Sequence, residues 1–215
     1  MARPENVAEF HADYDKHPDD RVRLFAAIVA VFAADSRVLY PGSYVDIGTS
    51  VWFDEVAYVD TDARAGRFFA QKRAVVDLIN TKRAAVDRDT DVDPRVTFHH
   101  LDYQSRLPVD DSSCDLLVSL YAGFITEHCS RYVRPGGHLL VNNSHGDASM
   151  AALDAQNELV AALVSRSGSY RVVTADLGSF MVPKRGEPAT VDELHETNRG
   201  IAFTKPAFAY IFKRR

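Results

Sequence analysis

Arg37-Val38-Leu39-Tyr40-Pro41-Gly42-Ser43-Tyr44-Val45-Asp46, with Val56-Ala57-Tyr58-Val59-Asp60-Thr61-Asp62 shortly after it, is the stretch that decides the architecture. One apolar burst ends in Pro-Gly and the next ends in acids. That is the pattern of two adjacent buried parallel strands whose C-terminal ends face one ligand. At this edge of an open parallel sheet a ligand can approach the bare backbone of the first turn. An acid after the second strand can accept hydrogen bonds from both hydroxyls of a ribose. The stretch therefore predicts a nucleotide crevice.

Upstream, Val7, Phe10 and Tyr14, then Leu24, Phe25, Ile28, Val29 and Phe32, recur at helical spacing on either side of a His17-Pro18-Asp19-Asp20 break. They predict two amphipathic helices, the second capped by Asp19 or Asp20. His11 and His17 read as surface residues. Downstream, Phe68, Phe69, Val75, Val76 and Ile79 mark the buried face of a helix from about Ala63 to Ala85. Its other face, with Arg64, Lys72, Arg73, Lys82 and Arg83, reads as a solvated charged surface. A third strand is expected at Arg95–His100, a fourth from Cys114 to Leu120 and a fifth at His138–Asn143. His99 and His100 point to opposite faces of their strand and cannot share one metal ion, so no metal site is expected.

Beyond the Asn142-Asn143-Ser144-His145-Gly146-Asp147 turn, Met150, Leu153, Val160 and Leu163 fall on one stripe and predict a helix from Ala148 onwards, with Ser144 or Asp147 as its cap. Tyr170–Ala175 reads as strand six and Ala207–Phe212 as strand seven. Between them lies an excursion of about thirty residues whose Thr190-Val191-Asp192-Glu193 matches a capping box. A long excursion in a compact domain is more often a lid or binding loop than idle chain.

The 215 residues, 46% hydrophobic and 26% charged, suffice for one domain with a full core. The expected divisions are N-terminal helices over 1–36, a nucleotide-binding core over 37–177, a lid-like insertion over 178–206 and the last strand over 207–215. A formal net charge of −5 argues against nucleic acid as the partner, because holding phosphates needs clustered Lys and Arg. Cys114 and Cys129 lie in apolar surroundings without metal spacing and read as reduced core residues, which implies a cytoplasmic setting. No apolar run approaches the roughly 20 residues of a membrane span, so no membrane partner is expected. A homodimer is left open.

The run from Leu101-Asp102 through Leu107-Pro108 to Cys114-Asp115-Leu116-Leu117-Val118, then Tyr132-Val133-Arg134-Pro135-Gly136-Gly137-His138-Leu139-Leu140-Val141, resembles the later motifs of class I S-adenosylmethionine-dependent methyltransferases. The resemblance covers about residues 37 to 145. It implies an α/β fold: a doubly wound, Rossmann-like sheet of about seven strands, mostly parallel with an antiparallel last strand, and helices on both faces. It implies S-adenosylmethionine as cofactor, Asp60 on the ribose, Asp102 on the adenine amino group and Gly42 against the methionine end. The candidate cofactor-binding set is Tyr40, Gly42, Ser43, Asp46, Asp60, Asp62, Asp102, Tyr103 and Leu120. Tyr40, Tyr44 and Asp46 stand where the family has an acid and two further glycines. Either Asp46 turns inward to meet the cofactor's amino group, or Tyr44 partly fills the pocket.

Methyl transfer from a sulfonium is an in-line displacement that mainly needs positioning, with a base only where the acceptor carries a proton. Candidate catalytic residues at the edge of strands four and five are His145 and Tyr121, with Glu127 nearby. His145 is the first choice, since an imidazole is the usual neutral-pH base and this turn opens a helix, and it is also read as a bystander to the helix start. The expected function is methyl transfer to a small-molecule acceptor. Two alternatives stand beside it. One is a catalytically silent binding or scaffold protein of the same fold. The other is an NAD-dependent oxidoreductase, disfavoured because G-x-G-x-x-G is absent.

Overall fold

The described residues are 6–15, 19–33 and 36–215 of a computed structural model. Helix α1 (Val7–Tyr14) is capped by Asn6, whose side chain accepts from Ala8 N. Helix α2 (Asp20–Val29) buries Val22, Leu24, Phe25 and Ile28, the stripe its period demands. The chain continues through β1 (Arg37–Pro41), α3 (Gly48–Trp52), β2 (Glu55–Val59), α4 (Ala63–Ala70), α5 (Lys72–Ala84), β3 (Arg95–His99), β4 (Cys114–Ser119) and α6 (Ile125–Cys129). Then come β5 (Val133–Val141), α7 (Asp147–Leu153), β6 (Asn157–Arg166), β7 (Ser169–Val173), α8 (Val191–Thr197) and β8 (Ala209–Arg214).

All eight strands form one sheet in the order β3-β2-β1-β4-β5-β8-β6-β7. The pairings among β1 to β5 are parallel, and β8 lies antiparallel to both β5 and β6. Side chains alternate between two cores, as the pleat requires. Val38, Tyr40, Val56, Tyr58, Leu116 and Val118 share one with Leu24 and Phe25 of α2 and with Phe68, Phe69, Val75 and Ile79 of α4 and α5. Leu39, Val59, Leu117, Leu139 and Val141 share the other with Ile125 and Cys129 of α6 and Ala148 of α7. Burial on both faces explains why β1 and β4 read as continuous apolar runs. Phe25 has no exposed surface, and its truncation to alanine is expected to cost about 3–5 kcal/mol. Among the described residues no helix is long and apolar enough to cross a membrane.

Several expectations are corrected. The helix begun at Asp147 stops at Leu153, where the Asp154 side chain accepts from Gln156 N and reverses the chain. Val160 and Leu163 then lie on β6, between β8 and β7, and not on a helix. A short apolar run suits either period, and here the two flanking strands decide. The expected strand six is instead the edge strand β7, hairpinned onto β6, which makes eight strands in place of about seven. The long helix after β2 breaks at Gln71, the shared cap of α4 and α5. His11 is buried, and that burial lowers its pKa to about 4, so it is not a surface residue. His17 lies outside the described residues. The Thr190–Glu193 capping box forms as expected.

Candidate functional site

Gly42 ends β1 with φ +67, a conformation that L side chains rarely adopt, and its N–H donates to Val59 O at 2.8 Å. A Cβ on Gly42 would stand 2.1 Å from the Cβ of Ala122, so the loop after β4 lies directly on the first turn. That loop carries its own positive φ values, +64 at Tyr121 and +95 at Gly123. For a bulky residue such as Tyr121 this is strain, held by its surroundings.

Asp60, half-buried at the end of β2, is oriented by two backbone donors. Tyr44 N–H donates to Oδ2 at 2.7 Å and Asp62 N–H to Oδ1 at 2.8 Å. A carboxylate accepts at about four lone-pair positions, so roughly half of its capacity remains for outside donors. The Asp62 carboxylate caps α4 by accepting from Arg64 N at 2.6 Å. Exposed Asp102, just beyond β3, uses Oδ1 on Gln104 N at 2.9 Å. The Tyr103 hydroxyl reaches the same loop: a Cβ on Gly123 would meet it at 2.7 Å. These residues suit the nucleoside half of S-adenosylmethionine, two acids with spare acceptor positions at the ends of adjacent strands. Ala122 covers the neighbouring Gly42 turn.

Asp46 points into the protein. Its Oδ2 lies 3.2 Å from Arg21 Nε and accepts from the Tyr40 hydroxyl at 3.1 Å, while Oδ1 accepts from Gly48 N at 2.9 Å. Burial pushes its carboxyl above the usual range, with Arg21 opposing. Burial likewise holds the Tyr40 hydroxyl well above its ordinary value. Ser43 and Leu120 are buried. The Arg21 guanidinium lies 5.3 Å from the Tyr121 ring centre and 5.9 Å from that of Phe208, which joins α2 to the far side of the edge.

On that far side, a cavity of about 400 Å³ opens beyond β4 and β5, lined by Tyr121, Asn142, Ser144, Ile201, Phe203 and Phe208 among others. Asn142 Oδ1 accepts from Tyr121 N at 3.2 Å and from Ser144 Oγ at 3.1 Å. Asn143 donates to Ile201 O at 2.9 Å and accepts from Ser149 N and Oγ, both at 3.0 Å, so it ties the excursion and α7 to the end of β5. The excursion is anchored by buried Phe180, Leu194 and Phe203, and its His195 sits 3.0 Å from Glu127 on α6. Asp147 does not cap α7. It is buried and accepts from Ser119 Oγ, Thr126 Oγ1 and Thr126 N, and burial pushes its pKa up to about 6 against those donors. One carboxylate thus holds both residues that bracket the loop over Gly42.

The structure therefore places Gly42 and Tyr103 against the Leu120–Phe124 loop, which carries Tyr121, with Asp60 and Asp102 just beyond the ends of β2 and β3. It spends Asp46 and Tyr40 on Arg21, and leaves half-buried His145 off the cavity wall. Sequence reasoning missed Arg21, and named Asn143 only as a member of the turn and Asp147 only as a turn residue and helix cap, not with the partners they hold here. Arg21 is one charge on a charged helix and carries no signal. Adjacent asparagines ending a buried strand were a usable one, since buried amides need partners.

No family model and no curated protein sequence matches the chain. Solved structures resemble it at the level of fold. A protein of Methanococcus maripaludis assigned to the S-adenosyl-L-methionine-dependent methyltransferases is 13% identical, with a TM-score of 0.46 over 67% of this chain and 68% of that one. A Geobacter sulfurreducens methyltransferase solved with S-adenosyl-L-homocysteine is 20% identical, TM-score 0.44, over 66% of this chain and 56% of that one, so the match spans just over half of its length. A chain of the Haloferax volcanii complex containing the Trm112 methyltransferase activator is 15% identical, TM-score 0.46, over 100% of this chain and 99% of that one. With a parallel β1–β5 core, an antiparallel last strand and helices on both faces, the chain has a doubly wound, Rossmann-like α/β fold.

Proposed function

We propose that this protein binds S-adenosylmethionine at the carboxyl edge of its sheet and transfers the methyl group to a small-molecule acceptor. The observation that carries the reading is the Asp60 carboxylate, held by two backbone N–H groups and still half-exposed at the end of β2. In this reading Asp60 holds the ribose hydroxyls, Asp102 the adenine amino group, and the Gly42 turn the methionine end once the Leu120–Phe124 loop draws back. When bound, the cofactor supplies an electrophilic methyl group on a sulfonium. The protein's own part is orientation and exclusion of water.

The acceptor is assigned to the cavity beyond β4 and β5. Among the described residues its lining carries no Asp, Glu, Lys, Arg or His, so a charged group entering it would lose hydration without a partner in the lining itself. Tyr121 is the group proposed to orient the acceptor. His145 is proposed to support the turn, since it stands outside the lining.

The test is thermal unfolding with S-adenosylmethionine, S-adenosylhomocysteine and NAD in turn. A ligand that binds only the native state raises the midpoint by mass action. Both S-adenosyl compounds are expected to raise it and NAD to leave it unchanged; a rise with NAD alone would reverse the assignment. The catalytically silent reading draws on one specific observation, the seating of Ala122 on Gly42. It predicts no shift with any of the three.

A further inference from the structure

The solvated face assigned to α4 and α5 is not uniform. Arg73 pairs with Asp77 and Asp93, Lys82 with Asp15 and Asp19, and Arg83 with Asp54. Arg67 and Lys72 make no ion pair among the described residues. These two cations flank a cavity of about 640 Å³ between the α4–α5 junction and the edge strand β3. Among the described residues its lining contains no Asp or Glu, although the chain has 30 acids against 25 Lys and Arg.

The wall is aromatic and aliphatic. The rings of Phe69 and Phe98 stack 4.6 Å apart at 11°, continuing a stack from buried Tyr58, and Val75, Val76 and Val96 complete the surface. His100 stands at the rim with Nε2 held 2.9 Å from Thr61 O, which fixes its ring against Gly66. The volume lies within the roughly 300–1,000 Å³ typical of small-molecule pockets, and an apolar wall with a few convergent polar groups is their usual composition. Two unpaired cations beside such a wall match a negative charge on an apolar body. A flanking protein strand fits less well, because β3 is only 5 residues long and starts and ends on Arg95 and His99.

We propose that this cavity is a binding site, separate from the Gly42 crevice, for a small organic anion with a flat apolar body. Arg67 and Lys72 bind the anionic group, and Phe69, Phe98 and Val96 receive the body.

The probe is 8-anilinonaphthalene-1-sulfonate, titrated into the full chain by fluorescence, with the uncharged N-phenyl-1-naphthylamine in parallel. The expected result is saturable one-to-one binding of the anion, at least tenfold tighter than the neutral probe. Arg67→Glu with Lys72→Glu is expected to weaken the anion at least tenfold, and Val76→Trp to weaken both probes by filling the space. Arg166→Glu, an exposed charge elsewhere, and Asp60→Ala are expected to leave binding unchanged, which separates this site from the cofactor reading. Equal affinity for the two probes, or a double variant that binds the anion as tightly as the wild type, would overturn the assignment.

Discussion

The methyl group of Ala122 rests on the face of Gly42 so closely that an added Cβ would approach it to 2.1 Å. Gly42 also sits at φ +67. Two independent constraints therefore act on one position. Gly42→Ala is expected to destabilise the fold by about 1–3 kcal/mol, from strain and overpacking together. Urea denaturation measures it, and a change under about 0.5 kcal/mol would show that the loop gives way freely.

Ala122→Gly should act in the opposite sense on ligand binding. If the loop must withdraw before the crevice is occupied, the population of the open form scales the apparent affinity. Removing the methyl contact is expected to tighten S-adenosylmethionine binding several-fold in calorimetry. Weaker binding would mean that Ala122 belongs to the bound state.

Asp46 is assigned to Arg21 and the turn. Asp46→Asn is expected to cost about 2–4 kcal/mol, because it removes the nearer and buried of the two carboxylates beside the Arg21 guanidinium and leaves only Asp20, 3.9 Å away. It is expected to change S-adenosylmethionine affinity less than threefold. A large affinity loss at unchanged stability would restore a direct role for this carboxylate in holding the cofactor.

Asp147 makes stability depend on pH with a definite sign. Burial raises its folded-state pKa from 3.8 to about 6, so the folded protein holds the proton more tightly than the unfolded chain does. The resulting penalty is absent below about pH 3.8 and grows as pH rises toward 6. It levels off near about 3 kcal/mol, at roughly 1.4 kcal/mol per unit. Asp147→Asn lacks this dependence. The stability of the wild type minus that of the variant is expected to fall between pH 4 and pH 7 in chemical denaturation; a rise would mean that the hydroxyl and amide donors outweigh burial.

The excursion between β7 and β8 offers a readout of closure. Lys184 and Arg185 are exposed, beside Gly186 at φ +72. Trypsin is expected to cut there first, and S-adenosylmethionine is expected to leave that rate unchanged until an acceptor also binds. Protection by cofactor alone would place the excursion over the crevice itself.

The parallel half of the sheet was legible because its strands are buried on both faces. Val38–Tyr40 and Leu116–Val118 therefore read as unbroken apolar runs closed by turn residues. Of the antiparallel half, Tyr170–Ala175 and Ala207–Phe212 were legible as strands, whereas β6 was not, because Leu159–Leu163 carries no period of its own and takes its conformation from β8 and β7. Asp60 and Gly42 were legible from their places at strand ends. The partners of Asp46 and Asp147 were not, since Arg21 and Thr126 reach them across the fold from separate helices. Local sequence carries strand ends well, and carries the pairing of buried charges poorly.

The proposed function stands on Asp60 holding the ribose of S-adenosylmethionine. Side-by-side calorimetric titration of the wild type and Asp60→Ala with S-adenosylhomocysteine tests it most directly. Saturable binding is expected of the wild type and a loss of about thirtyfold or more of the variant, the cost of removing a charged acceptor from buried hydroxyls. Equal affinity in two folded proteins, or no binding by either, would contradict it.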